Sequence, residues 1–543
     1  MNNWTRHSAC AVFVLVLAAQ TLCGAEKVTH IDQGWTPEER STFYHLEQGS
    51  HLMPYSWLLA LESPFQQRPF LNPDELSRLR LLPDEVSESN PDGLPVGFAK
   101  VTETGGSPWA GLSCSACHTT QVQYKGQTVR ADGGQGLIEF ASIVNSVVTA
   151  LQHTWQNDER FDRFARKVLS DSYSTTSASL LREDVRSRTQ YLRDLGARSH
   201  PANPAGWGRM DAYNVLFNEF LGTALNEPRN YRVPFAPSSI PTIWLVPQLD
   251  FCTGNASIHD LMARDAAEIS GVFGVVNVKG SKPAEFEYES SGSAKAFYRI
   301  EEMLQKLKPP AWPEHVLGQI NQEMATRGAV IYQREKCDTC HWEKPPYPMT
   351  EPNKFGKRFI KVARIMVDEI GTDPLMTNNF VQRTARTGKF KPLMQNQEVV
   401  PAWQLFVEVL GGVVKGKLEA VVTTPAELEK YTYGRLPKLP PADRLTAYIA
   451  EPLAGIWASP PYLHNGSVPS LYHLLLPADK RPKHFFVGSR DYDPQHVGYV
   501  SKEKLDNFDF DVSVPGNSNA GHEYGTAITE AERMDLLEYL KTF

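Results

Sequence analysis

Two short segments hold a pair of cysteines followed by a histidine: Cys114-Ser115-Ala116-Cys117-His118 and Cys337-Asp338-Thr339-Cys340-His341. Thiols at this spacing lie one helical turn apart, so both can add across the two vinyl groups of one porphyrin. The adjacent imidazole then points at the iron. Composition alone gives about 0.0025 chance matches per chain, which makes two accidental copies untenable. Structural zinc pairs normally sit about 15–20 residues apart, whereas these two are separated by the whole middle of the chain. A thioredoxin-like redox pair needs a βαβ setting, which neither copy has. The spacing predicts two covalently bound haem c groups. Cys114 and Cys117 hold the first and Cys337 and Cys340 the second, with His118 and His341 as proximal ligands.

The elements that position these motifs can be read outward from them. Before the second motif, 323–336 has a helical pattern. At the far end, Thr529 and Glu532 form a capping box ahead of Met534, Leu537 and Leu540 on one helix face. Apolar residues at 137, 140, 141, 144, 148 and 151 mark another helix, with more expected at 155–170, 176–196, 210–225 and 259–270. No strand pattern is strong. The reading is a mainly α fold: two c-type cytochrome domains with long irregular loops and few short strands. The Pro-rich stretch 306–318 is the best linker, giving a lead-in at 26–107, a first haem domain at 108–318 and a second at 319–543.

Over 543 residues, 41% are hydrophobic and 22% charged, and the net charge is −7. A sizeable core follows, and a nucleic-acid partner does not, since binding phosphates needs basic patches. Ala9 to Ala19 is an apolar run of signal-peptide length, too short to span a bilayer. Cys23-Gly24-Ala25 suits cleavage near Ala25. The protein is therefore expected to be exported, periplasmic or secreted, with no transmembrane helix. Loss of this leader removes Cys10 and Cys23, leaving Cys252 outside the two motifs.

Further segments carry a resemblance. Pro461-Tyr462-Leu463-His464-Asn465-Gly466-Ser467-Val468-Pro469-Ser470-Leu471 resembles a signature of the di-haem cytochrome c peroxidase superfamily, as do Gly206-Trp207-Gly208-Arg209-Met210-Asp211-Ala212 and Asp132-Gly133-Gly134. Gly371-Thr372-Asp373-Pro374 and Gly521-His522-Glu523-Tyr524-Gly525 are most similar to its haem rubber-oxygenase and fatty-acid dioxygenase branch, which includes oleate dioxygenase and diol synthase. Departures from the peroxidases are as informative. No histidine lies between His118 and His153 to act as a distal ligand. Ala478 stands where an axial Met is expected. Cys252 aligns with the Trp that lies between the peroxidase haems.

With no distal histidine nearby, the first haem is assigned the open, reactive position and the second an electron-transfer role. For the second iron's sixth ligand, the candidates are His464, His473, His484, His496, His522, Met349, Met366, Met376 and Met394. His522, flanked by Gly521 just before the last helix and matching the branch resemblance, is favoured. Glu268 is a candidate acid–base residue, as a Glu in this region is in the peroxidases, set against a plain solvated helix glutamate.

The resemblance implies an oxygenase or hydroperoxide isomerase acting with O2 or a hydroperoxide on unsaturated fatty acids or similar apolar chains. A cytochrome c peroxidase served by a donor cytochrome and a non-enzymatic electron carrier are the alternatives. The sequence leaves open any calcium between the haems.

Overall fold

The computed structural model describes residues 28–102, 106–435, 444–504 and 506–543. The expected leader, 1–25, lies outside them. No helix among the described residues is long and apolar enough to cross a membrane.

The first cysteine motif leads directly into a β-hairpin, Thr119–Tyr124 paired antiparallel with Gln127–Asp132. Val28–His30 adds to the hairpin in parallel. Lys125 and Gly126 both have positive φ, 49° and 76°, the geometry of a type I′ turn, whose twist matches paired strands. Beside it, Trp109–Leu112 pairs with Phe98–Val101 and Met53–Pro54. Three helices, Phe140–Gln156, Asp158–Leu169 and Thr175–Ser199, pack on one another. They bury Val144, Val147, Leu151, Phe164, Val185 and Leu192. Each such side chain contributes about 1.5–3 kcal/mol relative to exposure.

A second layer joins Leu261–Glu268, Ala294–Leu304 and Ala402–Glu419 around Phe217, Phe297, Phe390 and Phe406. The chain closes with Gln322–Arg334 crossing Glu530–Leu540. Gly328 makes the crossing possible, because a Cβ there would fall on the Asp535 carbonyl oxygen. The Thr529 capping box forms as its sequence suggests. Residues of the proline-rich stretch 306–318, Leu307, Trp312, Val316 and Leu317, share one core with Trp35, Trp457 and Leu537.

The expected mainly α architecture of two c-type cytochrome domains is overturned. The described structure is 42% helix and 15% strand, a mixed α/β fold with little sign of two such domains. The strands form eight small sheets among the described residues. They run from two to six residues, and several are buried on both faces; in Gln127–Asp132 only the first residue is exposed. Such segments lack the polar–apolar alternation that marks a half-exposed strand, which is why periodicity passed over them.

Candidate functional site

The first motif forms one helical turn, Cys114–Cys117, closed by His118 N donating to Cys114 O at 2.9 Å. Its backbone is held by glycines. Gly97 (φ +83°) lies so close that a Cβ would strike Ala116. Gly136 N donates to Cys117 O at 2.7 Å, and Gly133 N to His118 O at 3.0 Å. His118 Nδ1 donates to Pro241 O at 2.8 Å, which fixes the tautomer and leaves Nε2 with its lone pair free. Burial pushes this imidazole down to about 4, so it is neutral at pH 7.

Burial also pushes the Cys117 thiol up to about 12 and Cys114 well above its ordinary value, with the Glu268 carboxylate adding to both. Cys114 Sγ lies 3.3 Å from Gln48 Oε1.

The second motif has the same internal bond, His341 N to Cys337 O at 3.0 Å. It hangs from the helix Gln322–Arg334, whose Tyr332 hydroxyl donates to His341 O at 2.9 Å. His341 Nδ1 donates to Glu451 O at 2.9 Å, again leaving Nε2 free. Facing it is His522, with 6.1 Å between ring centroids. An iron bonded to a nitrogen of each ring, at about 2 Å per bond, requires a separation of roughly 6 Å between ring centres. Burial first, and then the neighbouring His341, push His522 down to about 4, so both rings are neutral. Its Nδ1 is buried without a hydrogen-bond partner. The residues present fit a bis-imidazole iron.

His522 has φ +50°. Its loop is clamped by the buried Arg481, which donates to Asn519 O at 2.6 Å, Gly521 O at 2.8 Å and His522 O at 3.2 Å. His522 N donates to Ile370 O at 2.9 Å, and Gly521 packs on the Gly371 backbone. The two glycine segments singled out in the sequence therefore meet. His464 is held elsewhere: its Nε2 donates to the Tyr448 hydroxyl at 3.0 Å, and that hydroxyl donates to Asp373 O at 2.9 Å.

Among the described residues no ring is paired with His118 as His522 is with His341. The first motif is instead flanked by charge. Glu268 ends the helix Leu261–Glu268 and stands 3.6 Å from Arg264 Nε. Its side chain is 45% accessible, yet desolvation raises its pKa against the pull of Arg264. Arg264 also pairs with Asp265 at 3.1 Å and with Glu301, both fully buried.

Cys252 is buried, with Sγ 3.2 Å from Ile258 O. Trp244, which the sequence reading passed over, packs against Gly133, Gly134 and Gly455 and donates from Nε1 to Ala454 O at 2.9 Å. It thus bridges the strand end that holds His118 and the segment that holds His341. Nothing in its own stretch, 241–248, marks it, since the glycines that it meets lie far away in sequence.

One stretch supports both histidines. Glu451 accepts from His341, while His464 O accepts from Ser239 N at 2.8 Å, two residues from Pro241. Residues 447–486, which contain both contacts, match the family described as RoxA-like, cytochrome c-like. This match supports a haem cytochrome family and implies haem c as the cofactor. The chain is 34% identical to the uncharacterized protein y4iJ of Sinorhizobium fredii over 95% of its own length and 93% of the relative's. It belongs to the same family as y4iJ. A second relative from that organism, the uncharacterized protein y4iM, is 26% identical over 63% of this chain and 73% of its own. The RoxA-like domain points to an oxidoreductase.

Proposed function

We propose that this protein is an exported di-haem oxidoreductase with one haem c at each motif. Its first haem would serve oxygenase or hydroperoxide-isomerase chemistry on unsaturated fatty acids or similar apolar chains. The observation that carries the division of labour is the pairing of His341 with His522 at 6.1 Å and the lack of such a partner for His118 among the described residues. A haem bound at the first motif supplies a redox-active iron for dioxygen or hydroperoxide chemistry.

The chain's own residues do the rest. His118, oriented by Pro241 O, presents Nε2 from one side. Glu268, whose proton affinity is raised by desolvation, holds a proton on its carboxyl nearer to neutral pH than a solvated glutamate does. Arg264 fixes that carboxyl from 3.6 Å. The apolar-chain substrate and the choice of oxygenase over peroxidase are supported by the resemblance to the rubber-oxygenase and fatty-acid dioxygenase branch.

The test is product analysis with an oxygen electrode. An oxygenase consumes O2 with oleate and yields hydroperoxy or dihydroxy products, and an isomerase turns over a fatty-acid hydroperoxide without O2 uptake. Rapid oxidation of reduced cytochrome c by hydrogen peroxide, with no lipid product, would establish the peroxidase instead.

A further inference from the structure

A cleft of about 1230 Å³ opens among residues 245–248, 298–309, 345–360 and 426–433. Its floor is apolar and aromatic. Leu307, Phe359 and Ile360 are buried, and Tyr298 and Tyr433 are half-buried. The two tyrosines stack with 5.2 Å between centroids and 12° between planes.

The rim is cationic: Lys306, Lys308, Lys357, Arg358 and Lys430 stand against the single carboxylate of Glu429, in a chain whose net charge is −7. Two of these cations are matched, Lys306 by Glu39 at 2.8 Å and Lys357 by Glu429 at 3.4 Å. The other three are exposed. Among the described residues none of them pairs with a carboxylate. Lys430 lies 4.9 Å over the Tyr298 ring, and Arg358 reaches only Thr350 O at 3.5 Å.

Like charges gathered at one mouth of an acidic protein repel each other, and an anion bound there relieves that repulsion. A floor of stacked rings and buried aliphatic side chains recognises no charge, only an apolar body. We propose that this cleft binds an organic anion with an extended apolar body, of the long-chain carboxylate class, its head at the cationic rim and its chain on the Tyr298–Tyr433 floor. No motif cysteine or histidine lines the cleft. The site therefore goes beyond the reaction proposed above and stands or falls separately from it.

Calorimetric titration of the haem-loaded protein with dodecanoate below its micelle concentration tests this. Dodecyltrimethylammonium serves as the cationic control and phosphatidylglycerol vesicles as the bilayer control. Dodecanoate is expected to bind, more weakly as salt rises, with dodecyltrimethylammonium at least about tenfold weaker. The triple variant Lys308→Glu, Arg358→Glu, Lys430→Glu should lower dodecanoate affinity by about tenfold or more, and the matching Gln variant should fall between. Haem content and thermal midpoint should not change in either. Equal affinity in all three proteins, equal binding of the cation, or binding to vesicles alone would overturn the proposal. A protein that binds dodecanoate here but consumes no O2 with oleate would sink the reaction proposed above and leave this site standing.

Discussion

The two motifs share their cysteines and histidine, the internal hydrogen bond and a backbone carbonyl that orients the histidine, yet what stands around them differs. The first turn is pressed between glycines at the start of a β-hairpin, and its histidine is oriented from behind by Pro241 O. The charges of Glu268 and of the Arg264 cluster act on its cysteines and histidine. The second hangs from a helix, and its histidine is met by another imidazole on a loop clamped by Arg481. Under the function proposed above, the same covalent chemistry is divided into two roles by what stands near the proximal ligand: the Glu268 and Arg264 charges in one case, a second neutral base in the other.

The largest effect should come from deleting the motifs themselves. The pyridine-haemochrome assay on denatured protein should report two covalent haems per chain. It should report one after Cys114→Ala with Cys117→Ala, and one after Cys337→Ala with Cys340→Ala. A single haem in the unaltered protein would remove the basis of the comparison.

Next is the opposing base. Replacement of His522 by Ala should convert a low-spin absorption signal to high-spin with haem content unchanged. CO bound by the reduced protein should rise from one to two per chain. His464→Ala should leave the spin state as it was, since that ring is engaged with Tyr448. The reverse outcome would make His464 the ligand.

Gly97→Ala probes the first turn alone. A Cβ there strikes Ala116, and φ of +83° already disfavours any side chain. The cost should be about 3 kcal/mol, read as a lower thermal midpoint, and haem loss should be confined to the first motif.

The smallest effect concerns pH. His464 is pushed down to about 3 by burial, with Arg209 adding to it. Between pH 6.5 and 3 the unfolded chain therefore binds a proton that the folded chain refuses, so stability is lost as pH falls through that window. In His464→Gln the fall in thermal midpoint over the same range should be shallower; an unchanged slope would show that this ring does not contribute.

Several structural elements were legible because they are local. Thiol spacing, the Thr529 capping box and the helix at 140–156 each depend on residues within a turn or two of one another. The contact of Gly371 with Gly521 was foreshadowed only as two separate glycine segments. The hairpin after His118 escaped notice because its strands are buried on nearly every residue and its turn is Lys-Gly rather than the commoner Asn-Gly. Gln48, Trp244, Arg481 and the carbonyls of Pro241 and Glu451 carry no local mark at all. They act through contacts that span as much as 210 residues of chain.

By itself the sequence supplied the expectation of which thiols could reach a porphyrin and which imidazoles follow them, since covalent reach is set by residue spacing. Tertiary structure alone decided the mixed α/β architecture and the carbonyl that orients each proximal ring. It also brought His522 to 6.1 Å from His341 and gathered Lys308, Arg358 and Lys430 around one apolar floor. Opposition of two imidazoles and charge around a cleft are properties of groups brought together from distant parts of the chain, and no short window of sequence contains both partners.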